Sequence, residues 1–152
     1  MGNFLYVSVV LSSVFVAGCS SFSGLFESAP VRAREIEIQV DPAANNNTAT
    51  AIDLVILYDK GLLKEFLSLS SKDYFEKYNQ LSRDYPGVEV VRWEVVPGKK
   101  IPAEPLKYSR GTPKAAVVFA DYTTPGQHRY SVGEGEKISV RLMENDFKVT
   151  VK

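Results

Sequence analysis

From Glu35 to the C-terminus, apolar residues recur mainly at every second position, in short runs separated by Pro, Gly, Asn and Asp. A period of two sends alternate side chains to opposite faces of an extended chain. The pattern therefore restricts the fold to short strands that bury one face. Glu35-Ile36-Glu37-Ile38-Gln39-Val40 is the cleanest case, with Ile36, Ile38 and Val40 on one side. Residues 137–142 alternate in the same way, with Ile138, Val140 and Leu142 inward. Asn145-Asp146 then supplies a tight turn, and Phe147, Val149 and Val151 complete a C-terminal hairpin.

Two segments break the alternation. Residues 51–58 and 115–122 are almost continuously apolar, which predicts central strands covered on both faces. Residues 88–96 form another strand, but each face is mixed. Val88, Val90, Arg92, Glu94 and Val96 share one side and Glu89, Val91, Trp93 and Val95 the other, so the core face stays open. Proline cannot donate in a central ladder, so residues 99–105, with Pro102 and Pro105, are a loop or an edge segment. Leu106 and Tyr108 are expected in a short strand. Residues 127–132 are short and polar-aromatic.

One stretch departs from strand periodicity. Leu62, Leu63, Phe66, Leu67 and Leu69 fall near helical spacing. Ser70 or Ser71 caps a further helix with Asp73 in its first turn, and Tyr74, Tyr78 and Leu81 follow on one face. The predicted fold class is all-β with a small helical insertion at about 62–81: a two-sheet antiparallel β-sandwich over residues 34–152. A small barrel is the alternative that pattern alone leaves open.

Residues 41–48 form a polar, turn-rich loop led by Asp41 and Pro42, with three consecutive asparagines, Asn45, Asn46 and Asn47, before Thr48. Its length exceeds the 2–5 residues usual for about every hairpin loop, which hints at function against the plain reading of a solvated loop.

The N-terminus has its own logic. An apolar run from Phe4 to Ala17 ends in Val16-Ala17-Gly18-Cys19. The run is too short for a ~30 Å hydrocarbon core and fits the apolar region of a cleaved signal. A small-residue box with cysteine at the cut matches the bacterial lipoprotein pattern, so residues 1–18 are read as signal peptide and Cys19 as the lipidation site. The n-region Met1-Gly2-Asn3 carries no Lys or Arg, and Tyr6 stands where a myristoylation motif needs Ser or Thr. Residues 19–33 read as a flexible tether, with Phe22, Leu25 and Phe26 read as interfacial residues beside the lipid in preference to part of a docking surface. Ser20 follows the cysteine where Asp would favour inner-membrane retention, so the lipoprotein resemblance implies the outer membrane.

Chemical motifs are sparse. Cys19 is the one cysteine, so no internal disulfide forms, and Lys+Arg equals Asp+Glu at 18 each, which gives no reason to expect nucleic acid. His128 is the one histidine, too few for the multi-His sites of zinc, and is read as a surface residue bonded to water or backbone. No serine sits in a nucleophile-elbow pattern, and Gly133-Glu134-Gly135 lacks the strand-to-helix setting of a phosphate loop. Trp93 is read as core in preference to a binding anchor. The expectation is no catalytic residue, no metal, no cofactor and no enzyme.

The order of several segments resembles the TssJ family of outer-membrane lipoproteins of type VI secretion systems. The segments are Phe66, then Lys72-Asp73-Tyr74-Phe75-Glu76-Lys77-Tyr78, then Val96-Pro97-Gly98, then Val117-Val118-Phe119-Ala120-Asp121-Tyr122. Two positions depart from the family's pattern: Thr123 follows Tyr122 where Arg is common, and His128-Arg129 stands where a Trp-Arg pair is expected. The resemblance implies a transthyretin-like sandwich, anchored by acylated Cys19 in the outer membrane and facing the periplasm. It implies binding to the periplasmic C-terminal part of the inner-membrane protein TssM. The loop between the first two strands carries that contact in the family, which maps here to Asp41, Pro42, Asn45, Asn46, Asn47 and Thr48. The rival readings are an unrelated lipoprotein sandwich (a pilotin, assembly factor or immunity protein) and a periplasmic enzyme.

Overall fold

A computed structural model describes residues 30–152. The signal peptide, Cys19 and most of the expected tether lie outside the described residues. Among the described residues, eight strands form two sheets of four, in the orders β4-β1-β7-β8 and β3-β2-β5-β6. The first sheet is built from β1 (Glu35–Val40), β4 (Lys100–Pro105), β7 (Lys137–Leu142) and β8 (Phe147–Val151). The second is built from β2 (Thr50–Leu57), β3 (Glu89–Val95), β5 (Ala115–Ala120) and β6 (Arg129–Ser131).

The inner faces meet as the alternation requires. Ile36, Ile38, Ile138, Val140 and Leu142 from one sheet pack against Ile52, Leu54, Ile56, Val118 and Ala120 from the other, all essentially without solvent contact. The mixed strand β3 is resolved by this packing: Val91, Trp93 and Val95 face the opposite sheet, while Val88 and Val90 face the helices. Two helices, α2 (Gly61–Phe66) and α3 (Ser71–Asp84), cover the outer face of the second sheet. They bury Val55, Leu57, Val117 and Phe119 beneath Leu63, Phe66 and Tyr74. This second core is why β2 and β5 lose their alternation. Tyr74 stacks on Phe119 with centroids 4.2 Å apart.

Helix α3 starts where its cap predicts: Ser70 Oγ accepts from Asp73 N at 3.1 Å. It runs past the expected end at 81 to Asp84, and stops because Tyr85 precedes Pro86, a position that disfavours helix. A hydrogen bond from Tyr74 to a half-buried ion pair fastens it to the sheet. The Asp53 carboxylate has no exposure and accepts from Arg92 Nε and Nη2, each at 2.6 Å, and from the Tyr74 hydroxyl at 2.7 Å. Burial, and then the Asp53 charge, push the Tyr74 phenol far above its ordinary value, so it stays a donor. Arg92 in turn lies 4.3 Å from the Tyr78 ring centroid.

The architecture is the expected two-sheet sandwich with a helical insertion, antiparallel in every pair among the described residues but one, and three details differ. The first is that β1 and β7 pair in parallel, Glu35 to Lys137 through Val40 to Leu142. Parallel neighbours need a long crossover, and here the whole second sheet supplies it. Leu106 and Tyr108 form no strand. After Pro105 the chain leaves the ladder, and the Tyr108 hydroxyl donates to Ala33 O instead. Finally, Val31 and Ala33, assigned to the tether, are buried in the core, so packing begins before residue 34.

Candidate functional site

The β1–β2 loop leaves one sheet and enters the other. Its length is therefore not that of an extended hairpin: it must bridge the ~10 Å between packed sheets. What singles it out is conformation. The short turn α1 (Ala44–Asn47) is left-handed over Asn45 (φ 49, ψ 45) and Asn46 (φ 52, ψ 43), and Asn47 follows with φ 62. Asparagine tolerates this region because its short amide bonds locally, but normally as a single residue. Three in succession store strain on the order of 1 kcal/mol for each residue, and the surroundings must hold them.

The holding contacts come from three other segments. Asp41 N, Asn45 N and Asn46 N donate to Leu142 O, Met143 O and Glu144 O at 3.0, 3.1 and 3.2 Å, so the loop continues the parallel alignment of β1 along β7 into the β7–β8 turn. Asn45 is fully buried. Its Nδ2 donates to Thr50 Oγ1 at 3.0 Å and to Asp121 O at 3.1 Å, and its Oδ1 accepts from Thr123 N at 2.8 Å and Thr123 Oγ1 at 2.9 Å. Asp41 forms a forked pair with Arg141, whose guanidinium is held further charged by that bond. Asp41 O also accepts from Gly98 N of the β3–β4 turn.

The predicted partner residues thus divide. Pro42, Asn46, Asn47 and Thr48 are exposed, Asp41 is partly covered, and Asn45 is buried. Asn45 cannot touch a partner directly; its amide shapes the loop that presents the others. Sequence reasoning missed the residues flanking them. Val96 (46% exposed) and Met143 (37%) are two of the large apolar side chains left open to solvent among the described residues. They belong to the turns hydrogen-bonded to Asp41 and Asn45, and so border the amide-rich loop on two sides. Sequence signals were faint for both: Val96 looked like the end of a strand and Met143 like a turn neighbour.

His128 is not a surface residue as expected. It is 8% exposed, stacked on Tyr122 with centroids 4.8 Å apart. Nδ1 lies 3.0 Å from Asp146 Oδ1 and Nε2 lies 2.9 Å from Thr124 O, so each nitrogen faces an acceptor. The adjacent hydroxyl, Thr124 Oγ1, donates to Asn145 O. The ring ties the β5–β6 loop to the β7–β8 turn; Thr124 Oγ1 also lies 3.4 Å from Nε2, with its proton directed to Asn145 O. The Tyr122 hydroxyl lies 2.9 Å from Met143 O and 2.7 Å from Asp146 O, sharing one proton between them; burial raises its pKa. Trp93 is half-buried against the inter-sheet core, with Nε1 donating to Glu104. Among the described residues no cluster of three or more His, Cys, Asp or Glu could hold a metal. None of their helices is long and apolar enough to cross a membrane.

No protein-family model matches the sequence, and no curated protein matches it. Solved structures do match in fold. A chain of a "Type VI membrane complex" superposes with a TM-score of 0.62 at 16% identity, covering 79% of this chain and 98% of that one. The type VI secretion lipoprotein TssJ1 from Pseudomonas aeruginosa gives 0.58 at 14% identity, covering 82% and 97%. Serratia marcescens Lip, a membrane-bound component of the type VI secretion system, gives 0.53 at 12% identity, covering 82% and 99%. The described domain has the fold of these proteins over nearly their whole length.

Proposed function

We propose that this chain is a TssJ-type lipoprotein of a type VI secretion membrane complex, non-enzymatic, acylated at Cys19 and held at the outer membrane facing the periplasm. Its binding partner in this reading is the periplasmic C-terminal part of TssM, engaged through the exposed face of the β1–β2 loop. The observation that carries the reading is the strained, pre-shaped loop on a fold shared almost end to end with lipoproteins of that system.

The physical logic is that of a rigid presenter. Fixing the loop before binding lowers the ordering cost at the interface. The chain enters the domain beside Pro113 and the end of β2, since Val31 N donates to Pro113 O and Lys114 N to Leu57 O. That pole is opposite the β1–β2 loop, at the other end of the eight-residue strand β2. A tethered domain arranged this way directs its loop away from the anchoring bilayer, and tethering raises the effective concentration near a partner.

The test has two arms. A periplasmic TssM fragment should capture the mature chain, and Asn46→Gly with Asn47→Gly should weaken that capture without loss of folding. Failure of the parent chain to bind would turn the reading toward an unrelated lipoprotein sandwich. Separately, metabolic lipid labelling should mark the parent chain, and Cys19→Ser should abolish it and move the protein to the soluble fraction; retention would sink the anchor.

A further inference from the structure

We infer that the pole where the chain enters the domain is a docking surface for the headgroups of an anionic phospholipid bilayer. Two segments meet there. Residues 30–34 and 106–114 are joined by Val31 N to Pro113 O at 3.2 Å, and Leu106 N donates to Arg34 O at 2.8 Å. Together they carry Arg32, Arg34, Lys107, Arg110 and Lys114, all exposed, and contain no Asp or Glu. Arg32 and Arg34 line an open cavity of about 530 Å³ with Tyr108, Thr112, Pro113 and Glu136.

Carboxylates border these segments as well: Glu35 follows Arg34 and lies 4.0 Å from Lys137 Nζ, Glu104 accepts from Trp93 Nε1, and Glu136 lines the same cavity as the arginines. Glu89 accepts from Ser109 Oγ and Tyr58 and attracts Arg110. Lys137 of the adjoining strand is already paired with Glu37 at 3.0 Å. Arg32, Arg34, Lys107 and Lys114 form no ion pair among the described residues. Four exposed cations are thus left without an ion-pair partner among the described residues, on a chain whose remaining residues are net acidic.

Position selects the occupant. The chain outside the described residues joins the domain at this pole, and eleven residues lie between Cys19 and Val31, so twelve steps of extended chain bound their distance at about 43 Å. If Cys19 is acylated, the cationic pole is the part of the domain nearest the bilayer. Basic groups near an anionic bilayer attract it through its surface potential, and a lipid anchor gains from such a second signal. The inference rests on the tether reading for orientation only; the charge cluster stands without it.

The experiment uses the chain from residue 19 onward with Cys19→Ser, so acylation plays no part and failure of the anchor reading, tested by lipid labelling, remains distinguishable. Flotation is compared on vesicles of phosphatidylcholine with phosphatidylglycerol and on phosphatidylcholine alone. The expected result is binding to the anionic vesicles only, abolished by high salt. Arg32→Gln, Arg34→Gln and Lys114→Gln together should lower the partition coefficient by roughly fivefold for each cation removed, with an unchanged melting midpoint. Three outcomes would overturn the inference: no binding to anionic vesicles, equal binding to both vesicle types, or undiminished binding by the triple variant. Capture by polyglutamate in place of vesicles would also overturn it, assigning the pole to an acidic protein.

Discussion

Asn45 and Thr123, in loops from different parts of the sandwich, are joined twice: the buried Asn45 Oδ1 accepts from both the backbone N and the Oγ1 of Thr123, at 2.8 and 2.9 Å. Thr123 is one of the two positions that depart from the TssJ pattern. The departure is therefore not idle. A threonine here offers a hydroxyl donor to the amide that sets the shape of the β1–β2 loop. His128, the other departure, fastens the neighbouring β7–β8 turn through Asp146.

Asn45→Ala should destabilise the domain by about 2–3 kcal/mol, because it leaves Asp121 O and Thr123 N without their buried partner and places alanine at a positive φ. Urea unfolding measures it. A loss under about 0.5 kcal/mol would mean that the backbone bonds to Met143 and Glu144 hold the loop unaided.

Asn46 and Asn47 should behave in the opposite way. Both are exposed and left-handed, a conformation glycine adopts freely. Asn46→Gly with Asn47→Gly should change stability by no more than about 0.5 kcal/mol and, under the proposed function, weaken capture by the TssM fragment about tenfold. Titration of the two proteins by calorimetry would separate the effects, and unchanged affinity would move the interface elsewhere.

Breaking the pair beneath α3 should be costly. Arg92→Met leaves the Asp53 carboxylate buried and unpaired, at a cost of about 3 kcal/mol, the low end for such pairs because Arg92 itself is 39% exposed. Adding Asp53→Asn removes the stranded charge and keeps an acceptor for Tyr74, so the double variant should recover most of the loss in denaturant melts.

Tyr108 gives a pH dependence. Burial, and then the neighbouring Tyr58 and Glu89, push its phenol up to about 12 from 10.0. A group whose folded value is raised contributes stability that is complete below the unfolded value and is lost as pH rises through the folded one. Its share is therefore intact below pH 10.0 and lost by about 12. Tyr108→Phe should lower the melting midpoint at neutral pH, where the bond to Ala33 O is lost, and flatten its fall across that window.

Gly126→Ala tests the His128 fastening. A Cβ at this position would stand 2.5 Å from His128 Nε2, so the ring must move away from Thr124 O or Asp146. A loss of about 1–3 kcal/mol is expected, read by thermal unfolding with the chemical shifts of His128 as the local reporter.

Much of the sandwich could be read before folding. Period-two runs marked β1, β7 and β8 almost to the residue, and the Ser70 cap marked the start of α3, because both signals act over a few neighbouring positions. The core face of β3 could not be read, since Arg92 looks polar from either side until Asp53 is known to lie beneath it. His128 looked exposed because its cover comes from Tyr122 at the far end of its own loop and from Asp146 of the β7–β8 turn. The β1–β2 loop was flagged for a length that crossing between sheets explains in full, while its informative property, three successive left-handed asparagines, shows itself in the backbone.

The residue order, then, sets which side of each segment is apolar, where it turns, and the small-residue box at Cys19. Folding alone decides that β1 lies parallel to β7, that Asn45 turns inward while Asn46 and Asn47 face solvent, and that the entry pole and the loop stand at opposite ends. The reason is range. Periodicity and capping are settled between neighbours, but Glu35 meets Lys137 and Asn45 meets Thr123 only after two sheets have closed over a shared core.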